Sequence, residues 1–118
     1  MASIKRGEIW LVNLDPTIGT EIKKTRPAIV VSSDAVGALP IKLVAPITEW
    51  KEYLVNNLWH VKIIANASNG LTKDSAVDTL QLRGLDTHRF VRKLGEVSST
   101  EIRLIVAAIA AVIEWEAE

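Results

Sequence analysis

The sequence has no cysteine, only two histidines, and a single phenylalanine and tyrosine in 118 residues. Without cysteine there is no disulfide scaffold, no thiolate metal site and no cysteine nucleophile. His60 and His88 are too few for a zinc site of three or four imidazoles, and no cofactor is expected. Long apolar runs are missing too. The longest, Leu104 to Ile113, has ten residues, against the ~20 that cross a bilayer. The opening segment, MASIKRGEIW, lacks the apolar stretch of a secretory signal. These features lead us to expect a cytoplasmic protein that spans no membrane. An excess of either charge is also absent: fourteen Lys and Arg balance fourteen Asp and Glu. That balance argues against tight non-specific binding to duplex DNA, which rests on many phosphate contacts.

What is present describes an ordinary globular chain. Its length suits a single domain over residues 1–118. With 48% hydrophobic and 24% charged residues, disordered, collagen-like and coiled-coil classes are excluded. The charges are unevenly spread. Glu114, Glu116 and Glu118 crowd the end, which leaves residues 1–113 at +3. Arg83, Arg89, Arg92 and Lys93 face only Asp86 between positions 83 and 93, and Lys23, Lys24 and Arg26 gather in one loop. Either basic cluster fits a local anionic ligand or a plain solvated face.

Most of the chain reads as short strands broken by turns. Glu8 to Leu14 is apolar and β-compatible, and Asp15-Pro16 and Gly19 end it. Residues 15–26 form a long polar loop, a length often tied to function. Pro27 restarts an extended run whose residues Ala28 to Val31 are apolar on both faces, the mark of a central strand. Residues 33–40 read as a loop or one helical turn. Ile41 to Ile47 is a strand in which Pro46, lacking an N–H, belongs at an edge or bulge. Residues 49–57 are polar, Leu58 to Ala65 is a strand, and Asn69-Gly70 is a hairpin-type turn. Ser75 to Leu82 alternates as one strand, and Phe90 to Val97 is the last.

The period then changes. Ser98 and Glu101 match a capping box. Ile102, Ile105, Val106, Ile109, Val112 and Ile113 follow helical spacing. Leu104, Ala107, Ala108, Ala110 and Ala111 make this helix apolar nearly all round, so it needs cover on more than one side. One side can face the sheet and the other a second copy of the chain. The architecture is mainly β with α: a small, bent antiparallel sheet or open barrel with a long C-terminal helix.

Two positions stand out chemically. Arg26 precedes a strand, and Pro27 biases it to an extended backbone. So placed, it suits bidentate phosphate contact, or it pairs with Glu21 or another surface acid. Thr48 closes an apolar strand, where its hydroxyl either donates to a developing anion or bonds a local turn.

The order Gly7-Glu8-Ile9-Trp10, Asp15-Pro16, Gly19-Thr20-Glu21, Arg26-Pro27-Ala28-Ile29-Val30-Val31-Ser32, then Pro46-Ile47-Thr48 resembles the MazF/PemK toxins. These are ribosome-independent mRNA endoribonucleases of toxin–antitoxin modules. The likeness continues through Ala76-Val77-Asp78-Thr79-Leu80-Gln81, Leu94-Gly95-Glu96-Val97 and the final helix. It implies an SH3-like, plasmid-maintenance-toxin barrel, usually dimeric. It implies sequence-specific cleavage of single-stranded RNA without metal, with the substrate's 2′-hydroxyl as nucleophile. The catalytic pair becomes Arg26 and Thr48, with Glu21 as a weaker third member. It also implies a cognate antitoxin whose acidic segment covers the RNA groove.

For RNA contacts beyond the cut, Lys23, Lys24, Gln81, Arg83, Arg89 and Arg92 are candidates. Trp50, Trp59 and Trp115 offer stacking faces, whereas Trp10 sits inside the first strand and reads as core. His60 and His88 have the pKa range for acid–base work but lie outside the matching motifs. The competing reading keeps the fold and changes the function to a DNA gyrase poison resembling CcdB. Such a poison needs neither Arg26 nor Thr48.

Overall fold

Period-two patterning builds most of this chain, and the computed structural model describes residues 3–116 of it. Among these, the strands are β1 (Glu8–Asn13), β2 (Thr25–Val30), β3 (Ile41–Glu49), β4 (His60–Ile63), β5 (Ser75–Asp78), β6 (Arg83–Asp86) and β7 (Phe90–Glu96), followed by helix α1 (Ser99–Val112). The strands pair antiparallel in the order β4-β5-β3-β2-β1-β7, and β6 also pairs with β3. The fold is thus mainly β with α, as the patterning led us to expect. Glu118, the last of the three clustered acids, lies outside the described residues.

β3 explains its own proline. One edge of β3 pairs with β2, while the other meets β6 over Ile41–Val44 and then β5 over Ile47–Glu49. Pro46 falls between these two partners, where a missing N–H costs little. It is nevertheless buried, in mid-strand.

The central strands are apolar on both faces because both faces are covered. Ile9, Ile29, Ala45, Ile47, Ile63 and Val77 form one core with Ile102 and Ile105 of α1. Trp10, Val12, Ala28, Val30, Val44 and Leu85 form the other. Fully burying each large aliphatic side chain is worth about 1.5–3 kcal/mol. Trp10 is core, packed edge-on to Phe90 with ring centroids 5.8 Å apart.

The helix begins where the capping box placed it. Ser98 Oγ accepts from Glu101 N at 3.1 Å, and Glu101 Oε1 accepts from Ser98 N at 2.9 Å. It buries Ile102, Ile105 and Ala108, while Leu104, Val106, Ala107 and Ile113 stay exposed. No helix among the described residues is long and apolar enough to cross a membrane.

The turn after β4 is pressed against β7. A methyl group at Gly95 would overlap the Ser68 carbonyl oxygen, and one at Gly70 the Leu94 carbonyl oxygen. Gly70 also holds φ +70°, which favours glycine. Asn69, wholly buried, ties the turn together: Oδ1 accepts from Asn66 N and Leu71 N, and Nδ2 donates to Ile64 O at 2.9 Å. Beside β1, buried Glu8 accepts from Lys5 N at 2.8 Å and Trp10 Nε1 at 3.0 Å, and pairs with Lys93 Nζ at 2.9 Å. Burial works against its ionisation, but the bonds from Lys5, Lys93 and Trp10 outweigh it and hold the carboxyl below the usual range. The same hydrogen bond raises the Lys93 ammonium above its usual range.

Four expectations need correction. Ser75 to Leu82 is not one strand: Asp78 Oδ1 accepts from Leu80 N and Gln81 N, which turns the chain into a 3-10 turn over Thr79–Gln81. A further strand, β6, then forms at Arg83–Asp86, where none was expected. The strand over 58–65 contracts to His60–Ile63, and β2 already includes Thr25 and Arg26.

Candidate active site

The β2–β3 register brings the two singled-out residues together. Ala28 stands opposite Pro46, Ile29 opposite Ala45 and Val30 opposite Val44. Arg26 lies two residues before Ala28 and Thr48 two residues after Pro46, so both leave the last pair of this ladder at the same end.

Arg26 is exposed and Thr48 half-buried. Arg26 Nε donates to the Lys23 carbonyl at 3.3 Å. Among the described residues no carboxylate lies within salt-bridge distance of Arg26. Its two Nη groups therefore remain open to a ligand.

Arg26 and Thr48 line two grooves that meet at them. One, of about 330 Å³, includes Leu11, Lys73, Ser75 and Arg92. The other, of about 370 Å³, includes Ile22, Tyr53, His60 and Asp78. The first carries Arg26, Lys73 and Arg92 against Glu49 alone, and so favours an anion. No tryptophan lines either groove. Trp50 lies under Lys62 Nζ at 5.2 Å and Trp115 is exposed.

Glu21 is separated from this pair. Its Oε1 accepts from Ile18 N at 2.5 Å, within the β1–β2 loop. It lines a third hollow, of about 570 Å³, with Thr20, Gln81 and Arg83. Glu21 thus braces the loop and forms no ion pair with Arg26.

The other residues singled out for RNA divide into two groups. Lys23 and Lys24 are exposed at the loop's end, and Lys24 N donates to Asp15 Oδ1 at 3.0 Å. Gln81, Arg83 and Arg89 each bond the loop backbone. Gln81 Oε1 accepts from Ile22 N at 2.6 Å. Arg83 Nη1 donates to Leu14 O at 3.2 Å. Arg89 Nη1 donates to Asn13 O at 3.3 Å and to Asp15 O.

Sequence reasoning passed over Lys73, Ser75 and Asp78. The signal for Asp78 was present: folding the two flanking strands about Asn69 sets His60 opposite Asp78, as observed. Lys73 and Ser75 reach the groove because Ser75 pairs with Glu49 on β3, a contact with no local signal. Among the described residues no three His, Cys, Asp or Glu side chains are placed to hold a metal ion.

Comparison with known proteins bears on this geometry. Residues 5–113 match the model of a family described as PemK-like, MazF-like toxin of type II toxin-antitoxin system. Endoribonuclease MazF9 of Mycobacterium tuberculosis is 33% identical over 113 residues, covering 90% of this chain and 92% of that protein. In structure, the chain is similar to MazF from Deinococcus radiodurans, with TM-score 0.81 at 20% identity over 97% of this chain and 99% of that one. It is also similar to a mycobacterial endoribonuclease solved in complex with its cognate antitoxin, with TM-score 0.77 at 16% identity over 98% of this chain and 100% of that one.

Proposed function

This chain belongs to the PemK-like, MazF-like toxins of type II toxin–antitoxin systems, and on that premise we propose that it is a sequence-specific, ribosome-independent endoribonuclease. It cleaves single-stranded mRNA without a metal and is neutralised by a cognate antitoxin. One observation carries the reading: Arg26, with no carboxylate in salt-bridge distance among the described residues, lines two grooves together with Thr48.

The chemistry follows from those side chains. The ribose 2′-hydroxyl attacks the adjacent phosphorus and loses its proton. The bond from phosphorus to the 5′ oxygen breaks, and that oxygen gains a proton. The products end in a 2′,3′-cyclic phosphate and a 5′-hydroxyl. Negative charge grows on the non-bridging oxygens in between. The Arg26 guanidinium suits that charge, since its fork matches two oxygens at once. A guanidinium stays protonated in proteins and is a poor base, so its role is electrostatic. Thr48 donates a hydroxyl hydrogen bond to the same group. Lys73 and Arg92 hold the flanking phosphates along the first groove. Glu21 supports catalysis by shaping the loop.

Two partners complete the proposal. The exposed apolar side of α1, at Leu104, Ala107 and Ala111, is covered by a second copy of the chain. An acidic antitoxin segment occupies the cationic groove and blocks RNA. The test is a long single-stranded RNA incubated with the protein and excess EDTA, with fragment ends mapped by primer extension. The proposal expects discrete cuts at a recurring short sequence with 5′-hydroxyl ends. Uncut RNA, or cutting only when a divalent metal is restored, contradicts it.

A further inference from the structure

His60 and Asp78 are the one ionisable pair in which both side chains are about nine-tenths buried among the described residues, and the chemistry above does not use them. They stand opposite each other on β4 and β5, with Nε2 of His60 3.7 Å from Oδ2 of Asp78. Nδ1 of His60 lies 3.2 Å from Asn57 Nδ2, which can donate to it, and Nε2 faces Asp78.

Asp78 passes the connection on. Its Oδ2 accepts from Gln81 Nε2 at 3.3 Å, and its Oδ1 accepts from Leu80 N and Gln81 N. Gln81, so oriented, accepts from Ile22 N at 2.6 Å and donates to Thr20 O at 3.5 Å. Among the described residues these are the hydrogen bonds that reach residues 18–22 of the loop from outside it. Ile22 is followed by Lys23, whose carbonyl receives Arg26 Nε. Ile22, Arg26, His60 and Asp78 all line the same groove.

We propose that Asn57, His60, Asp78 and Gln81 form a relay, two hydrogen bonds joined by the His60–Asp78 contact, that positions Arg26 for RNA cleavage through the β1–β2 loop. His60 is then a positioning residue, not a proton-transfer catalyst. The proposal rests on the nuclease reading for its kinetic effect, but its structural effect is independent of that reading.

The experiment compares wild type, H60A, H60Q, Q81A and H60A/Q81A. It measures kcat and KM on a short single-stranded RNA, and amide hydrogen exchange at Ile22. A misplaced charge-stabilising group costs about tenfold to a hundredfold in rate. H60A and Q81A are therefore each expected to lower kcat at least about tenfold with KM nearly unchanged, and to speed exchange at Ile22. Members of one relay are non-additive, so the double variant should be no slower than the slower single one. Glutamine at position 60 keeps a donor and an acceptor but cannot titrate, so H60Q should recover most of the rate and the Ile22 protection. An H60Q as inactive as H60A with normal Ile22 exchange overturns the proposal, because His60 would then move the proton itself. Wild-type kinetics and exchange in H60A, or additive losses, overturn it as well. If H60A does not fold, Asn57→Ala, at the half-buried outer end, takes its place. Should wild-type protein cut no RNA, the nuclease reading fails, and Ile22 exchange alone decides the relay.

Discussion

Arg83 Nη1 donates to the carbonyl oxygen of Leu14 at 3.2 Å, joining β6 to the start of the β1–β2 loop. An arginine that sequence alone offers to RNA is thus engaged with the protein's own backbone, whereas Arg92 lines the groove beside Arg26. The two should separate in a salt titration. On single strands each phosphate contact contributes about −0.7 to the slope of log K against log salt. Arg92→Ala is expected to flatten that slope by about one contact. Arg83→Ala should leave the slope unchanged while loosening the loop. Equal slopes in both variants contradict this division.

Glu8 links stability to acid. Its carboxyl sits below the ordinary glutamate range in the folded chain, through its bonds from Lys5, Lys93 and Trp10. A depressed acid pKa contributes stability that is complete above the unfolded value and is lost as pH falls through the folded one. Urea midpoints measured downward from pH 7 should therefore fall as Glu8 protonates, and Glu8→Gln should shrink that fall. An unchanged acid dependence in the variant counts against the assignment.

The turn at 66–70 should be intolerant of change. Asn69→Ala leaves the N–H groups of Asn66 and Leu71 and the carbonyl of Ile64 without their partner, at a cost of about 1–3 kcal/mol. Gly95→Ala forces the turn off β7 and costs about 1–3 kcal/mol by overpacking. Both are read from urea unfolding. Stability within error of wild type in either contradicts the packing described.

The outer side of α1 should govern assembly. Leu104 is 54% exposed in the single chain. Leu104→Glu is expected to shift the sedimentation mass from two chains to one while helical content is kept. A one-chain mass for wild type at micromolar concentration contradicts the dimer.

Much of this was legible in the residues, for reasons that vary by element. The capping box at Ser98 and Glu101 is local chemistry, and α1 starts there. The four apolar residues from Ala28 to Val31 required cover on both faces, and two cores provide it. The alternation from Ser75 to Leu82 misled, because the pattern continues through a turn set by the Asp78 carboxylate. β6 was hidden because Arg83-Gly84-Leu85-Asp86 is half charged and contains glycine; only pairing with Ile41–Val44 makes it a strand. At the candidate site, Arg26 and Thr48 were singled out by their positions and by motif order, and both line the same two grooves. That Glu21, Gln81 and Arg89 bond the loop backbone could not be read from sequence, since the Gln81 and Arg89 contacts span some 60 to 76 positions.

The central claim is that Arg26 and Thr48 together cleave RNA. Its most direct test is the single-turnover rate on one mapped RNA site, in EDTA, for wild type, Arg26→Ala and Thr48→Ala, with thermal melting run alongside. Losing one electrostatic donor costs about 10²–10³ in rate. Wild type should therefore cut, and each variant should fall by about that factor with an unchanged melting curve. Either variant, folded and cutting at the wild-type rate, contradicts the account.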